Sequence, residues 1–152
     1  MTDWKTLYEN LPDSEKDKIA ILRVMECSNG IAQHAYRLSL PYALSVEETR
    51  RAMKFSMSCM KNMEIPLINE TITFAPETEE LMRSARNLYV KGIKQNEPEA
   101  YKEFMEVSRV SAEAVGVDRI LNAQKLLSEN LDEIPQHTLQ WGVDYLMQFF
   151  PE

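Results

Sequence analysis

Apolar positions recur along this chain at helical spacing, and the prolines divide that pattern into segments. After a short segment predicted from Asp3 to about Asn10, a long helix begins at Asp13 or Ser14, either of which can cap it. Its apolar stripe is Ala20, Val24, Cys27, Ile31, Ala35 and Leu38, one face of a 3.6-residue period. Gly30 interrupts that stripe at a cost of about 1 kcal/mol relative to Ala, so the segment reads as one helix or as two that meet at Gly30. A third helix starts at Ser45, which forms a capping box with Glu48, and carries Met53, Met57, Met60 and Met63 before Pro66.

Residues 65–75, with Thr71-Ile72-Thr73-Phe74, carry the only β character in the chain and lack an evident partner strand. Beyond them Leu81, Met82, Ala85, Leu88, Tyr89, Gly92 and Ile93 mark a helix from about Glu77 to Gln95. Asn96 is expected to cap the next through Pro98, with Tyr101, Phe104, Met105, Ser108, Ala112 and Val115 on one side. The tight connector makes these two an antiparallel pair. Gly116 ends the second of them, Asp118 starts a shorter helix, and Pro135 opens the last, with Leu139, Val143, Leu146 and Phe150 on one face. The other prolines, Pro12, Pro41, Pro76 and Pro151, also stand at segment boundaries. The prediction is an all-α protein, a single compact bundle of six to seven helices over residues 1–152.

Composition supports this. Only 4 glycines are present, too few for a turn-rich β protein, and good helix formers dominate. The net charge of −7 changes the list of partners, because nearly all the excess lies beyond Glu77 and no Lys or Arg follows Lys125. An acidic surface repels phosphate backbones and anionic lipid, so nucleic acid and membranes are excluded as expected partners. Two cysteines cannot form the framework of a small secreted scaffold. The first residues are polar, and no apolar run reaches the ~20 residues that span a bilayer. The expected location is the cytoplasm.

Catalytic strings such as the Walker A loop, G-x-G-x-x-G, H-E-x-x-H, G-x-S-x-G and C-x-x-C are missing. Neither His34 nor His137 has Glu three positions before it, as a helical di-iron site requires. The local chemistry that remains is Glu26-Cys27 with His34. On a continuous helix Cys27 and His34 stand ~10 Å apart along the axis, whereas a break at Gly30 would bring them together for thiol or acid–base chemistry. The string Ile19-Ala20-Ile21-Leu22-Arg23-Val24, followed by Ala32-Gln33-His34, resembles the carboxymuconolactone decarboxylase and alkylhydroperoxidase-D family over residues 11–53. That resemblance implies an all-helical fold with a Cys-x-x-Cys-x-x-x-His or Glu-x-x-x-His active-site helix. Cys27 and His34 match its outer positions, and Gly30 stands where the inner Cys or Glu would be.

Two further patterns carry chemistry in principle. Met53, Met57 and Met60 with Cys59 offer soft sulfur ligands for Cu(I), although methionines more commonly fill a core or an adaptable groove. Ala112 to Asp118 has the outline of a helix-turn-helix corner, but its second helix offers just Arg119 and Lys125 as cations. The last helix carries Trp141, Tyr145 and Phe149 on a second side, and a helix apolar on two faces lies centrally or contacts another chain. The expected function is therefore a non-catalytic, cofactor-free helical domain that self-associates or docks on a protein partner through Trp141, Tyr145 and Phe149. A small enzyme or ligand-binding protein centred on Glu26, Cys27 and His34 is the alternative, and Cu(I) binding by the Met-rich helix a third.

Overall fold

The helices begin and end where local side chains can satisfy the exposed backbone groups. The computed structural model describes the backbone of residues 2–37 and 45–150, and side chains over 2–30 and 45–150. Leu38, Pro41 and Pro151, and the side chains of Ile31, His34 and Ala35, lie outside the described residues. Helix α1 (Trp4–Glu9) starts where the Asp3 carboxylate accepts from the Thr6 N–H and hydroxyl. Helix α2 (Asp13–Arg37) runs unbroken through Gly30, so the predicted alternative of two helices is not adopted. Helix α3 (Val46–Asn62) has the predicted capping box of Ser45 and Glu48 and ends with Met63 in the left-handed region at φ 53°.

The segment with β character folds on itself. Strands β1 (Glu64–Pro66) and β2 (Thr71–Thr73) form an antiparallel hairpin in which Ile65 faces Ile72. The missing partner strand thus lies within the same stretch. Helix α4 (Pro76–Tyr89) continues into a wider turn, Val90–Lys94, closed by an i→i−5 bond from Gln95 N–H to the Val90 carbonyl. Asn96 does not cap the next helix as expected. It adopts φ 57°, a conformation Asn tolerates, to turn the chain, and Glu97 takes the cap position.

Helix α5 (Pro98–Asn130) is bent at Gly116, whose φ of 83° and ψ of 163° no helix contains. The predicted division there is correct: two helical halves meet at a glycine because a side chain would strain that backbone. Helix α6 (Gln136–Met147) closes the fold. Among the described residues the protein is all-α apart from the hairpin, and no helix is long and apolar enough to cross a membrane.

Helix α2 is the centre. Ile19, Ala20, Ile21, Leu22, Val24 and Met25 are all buried, so apolar contact surrounds most of its circumference. It lies chiefly against α6 and α5, while α1 and α4 pack on α5. At the α2–α6 crossing, Gly142 sits directly on Ser28. A Cβ there would overlap the Ser28 hydroxyl and approach Ser28 N to 2.7 Å and the Val24 carbonyl oxygen to 2.8 Å. Ser28 turns its hydroxyl back to that carbonyl at 2.6 Å, which keeps the buried polar atom bonded and the contact close.

Helix propensity alone favours Ala over Gly at an interior position by about 1 kcal/mol. The crossing reverses that sign, because backbone rather than a flexible side chain must move. Gly142→Ala is expected to destabilise the protein by about 1–3 kcal/mol, the usual range for an overpacked core. Thermal unfolding followed by circular dichroism checks this, with a melting point several degrees lower as the predicted result.

Candidate functional site

Helix α6 divides its side chains between core and surface. Thr138, Leu139, Gly142, Val143 and Leu146 are buried. His137, Trp141, Tyr145 and Phe149 follow one another every four residues along a second stripe, and Tyr145 is 41% exposed. Trp141 and Phe149 are half-buried on this flank. Edge-to-face pairs order the rings: His137 and Trp141 have centroids 5.1 Å apart, and Tyr145 and Phe149 6.1 Å. The stripe is thus aromatic and partly solvated. Gln140, which receives a 2.7 Å hydrogen bond from Gln124 of α5, donates to Asp144 at 2.8 Å and holds the polar edge of the helix in place.

Glu26 and Cys27 lie on α2, both half-buried by area yet densely surrounded. Burial pushes the Cys27 thiol up to about 11, with Arg23 opposing and Glu26 reinforcing the shift. Its thiolate is therefore scarce near neutral pH, the reverse of an activated nucleophile. Burial also raises the Glu26 carboxyl, against the pull of Arg23 and Arg86. Because α2 is continuous through Gly30, Cys27 and His34 stand two turns apart on the helix, ~10 Å along its axis. The break that would bring them together is absent, and the His34 side chain lies outside the described residues.

The sulfur atoms of α3 diverge. Cys59 and Met63 are buried, Met53 and Met60 half-buried, and Met57 is 55% exposed. Met57 and Cys59, two positions apart, differ by about 200° around the helix and cannot share one ion. Among the described residues no three His, Cys, Asp or Glu side chains are grouped as metal ligands would be. At the corner around Gly116, Arg119 is engaged within the protein. Its guanidinium pairs with Asp13 at 3.0 Å and Asp17 at 2.9 Å on α2 and donates to the Val115 carbonyl at 3.1 Å. The helix that would read DNA thus turns one of its two cations inward.

Sequence reasoning missed the neighbours of Glu26. Arg23 of α2 and Arg86 of α4 act on it electrostatically, and it in turn helps raise Tyr8 of α1. The available signal was Arg23 and Glu26 at i, i+3 inside an otherwise apolar run. Tyr8 and Arg86 gave none, because only the folded chain brings them near. Scans of the chain against protein-family models, curated proteins and solved structures find no match.

Glu15 of α2 is a buried carboxyl, 4% exposed. Helix α4 begins at Ala75 without a capping side chain of its own, and Glu15 accepts the Ala75 N–H at 2.7 Å and pairs with Lys18 at 2.6 Å. Burial works to raise this carboxyl, but Lys18, Thr78 and the Ala75 N–H together outweigh it and hold it below its ordinary value. A carboxyl lowered on folding stabilises the protein above its unfolded pKa, and that contribution is lost as pH falls through the folded value. Glu15→Gln is expected to cost about 1–3 kcal/mol at neutral pH, and the gap from wild type should close in acid below the carboxylate range. Urea denaturation at a series of pH values measures it.

Proposed function

We propose that the protein is a helical interaction domain that self-associates, or docks on a protein partner, through the outer stripe of α6. The observation that supports this reading most is the division of α6: Leu139, Val143 and Leu146 fill the core, while Trp141 and Tyr145 lie on a partly solvated flank, continued past the helix end by Phe149, which also packs against the core. A globular helix needs one apolar face for its own core. Rigid aromatic rings on a second face are the side chains that anchor protein interfaces, since they bury large areas and lose few rotamers.

Charge supports a protein partner over nucleic acid or a membrane surface. The chain carries −7 overall, and Glu129, Asp132, Glu133 and Asp144 belong to a stretch of sequence with no Lys or Arg after residue 125. The free thiols of Cys27 and Cys59 fit the reducing cytoplasm as the place of action.

Trp141→Ala with Tyr145→Ala removes the centre of the stripe and leaves the core positions intact. Light scattering after size exclusion is expected to show assembly weakened at least about tenfold, within the range of interface anchors, with helical circular dichroism unchanged. Assembly that survives the double substitution unchanged contradicts the assignment of this face.

A further inference from the structure

A second apolar strip runs along the seam between α4 and α5. Tyr89 meets Phe104 edge to face, with ring centroids 5.3 Å apart. Beyond it the wide turn Val90–Lys94 brings Gly92 against the other helix, where a Cβ would stand 2.6 Å from the Tyr101 Cα. These two contacts set the antiparallel register, with 89 beside 104 and 92 beside 101. Tyr89 and Ile93 are four residues apart on one side of the seam, and Tyr101 and Met105 four apart on the other. All four are exposed, from 39% for Met105 to 44% for Tyr101. Apolar side chains grouped on a surface in this way mark a contact with another molecule.

The charge beside this strip is the reverse of that beside the α6 stripe. Residues 81–96 include Arg83, Arg86, Lys91 and Lys94 and no Asp or Glu. Arg83 is engaged by Glu79 and the Lys61 carbonyl, whereas Arg86, Lys91 and Lys94 are exposed. Lys102, next to Tyr101, meets Glu99 only at 3.9 Å and in full solvent, a contact of little strength. Among the acids of α5, Glu103 accepts from the Trp4 indole, and Glu106 and Glu113 are held by Arg109. Glu97 and Glu99, at the start of α5, are the acids that remain on this side. Helix α6, by contrast, carries Asp144 and no Lys or Arg, and the chain leading into it carries Asp132 and Glu133.

We propose that the α4–α5 strip is the docking site for the α6 stripe of a second copy of this chain. The inference rests on the role given to α6 and names its partner. A symmetric contact would set each surface against its own sign, acid on acid across α6 or cation on cation across α4. Opposite signs face each other only when the strip of one copy receives α6 of the next. Tyr89, Ile93, Tyr101 and Met105 then bury Tyr145 and its aromatic neighbours, inside a rim of lysines and carboxylates. Such a head-to-tail contact leaves one surface free at each end, so the copies close into a ring or continue as a chain.

Complementation between two full-length variants tests this, read by light scattering after size exclusion with circular dichroism as the control for folding. Trp141→Ala with Tyr145→Ala removes the inserted surface, and Ile93→Glu with Tyr101→Glu removes the receiving one. Each variant alone is expected to assemble at least about tenfold more weakly than wild type. Their equimolar mixture should form a heterodimer and nothing larger, because one intact surface of each kind remains. Lys91→Glu with Lys94→Glu leaves the apolar strip in place and should also weaken assembly, which keeps the test open if the other strip variant fails to fold. Strip variants that assemble like wild type while the α6 variant does not would overturn this inference and leave the role of α6 standing. An α6 variant that assembles like wild type would remove that role and the inference with it. A mixture that forms no heterodimer, or a wild-type protein that stays monomeric, would also overturn the inference.

Discussion

The approach of α6 to α2 at Gly142 governs the arrangement of the other elements. Two helix backbones meet there with only the small Ser28 side chain at the contact, and Ser28 folds its hydroxyl onto its own helix so that this buried donor is not left open. That closeness lets Leu139, Val143 and Leu146 reach the centre of the core. It also limits which side of α6 can face inward. With Gly142 against α2, the stripe of Trp141, Tyr145 and Phe149 must turn toward the periphery, four residues per step. The proposed binding face is in this sense a consequence of the packing face.

Polar ties then fix the remaining helices to this pair at single points. Glu15 reaches from α2 to the Ala75 N–H just before α4, Arg119 joins the second half of α5 to Asp13 and Asp17 of α2, and the Trp4 indole donates to Glu103 of α5 at 2.8 Å. Each tie lies at or near a helix terminus, where unpaired backbone groups or a chain bend need a partner. Farther along α2, Arg23 and Arg86 act electrostatically on Glu26, and among the described residues neither closes an ion pair with it.

What could be seen in the chain beforehand was what depends on residues close in sequence. The Ser45–Glu48 box, the opening prolines of α4 and α5 and the bend at Gly116 rest on interactions within one or two turns. Asn96 misled because the same residue serves as a cap and as a left-handed turn, and only the packing of α4 against α5 decides between them. The hairpin was visible as β character but not as a pair, since each strand is three residues long. The cap of α4 was invisible because its acceptor, Glu15, lies 60 positions away in sequence. For the site, the aromatic stripe of α6 follows from periodicity alone, whereas the company of Glu26 depends on three helices. The Cys27–His34 pairing required a break at Gly30 that α2 does not make.

If the α2–α6 crossing is the constraint on which the fold depends, those two helices should open only when the whole protein unfolds. Native-state hydrogen exchange tests this directly. The slowest amides are expected in residues 19–29 of α2 and 139–146 of α6, with one shared opening free energy equal to that of global unfolding, while α1 and the β-hairpin exchange by smaller openings. Amides of α6 that exchange through a local opening well below the global free energy, with α2 still protected, would contradict the account.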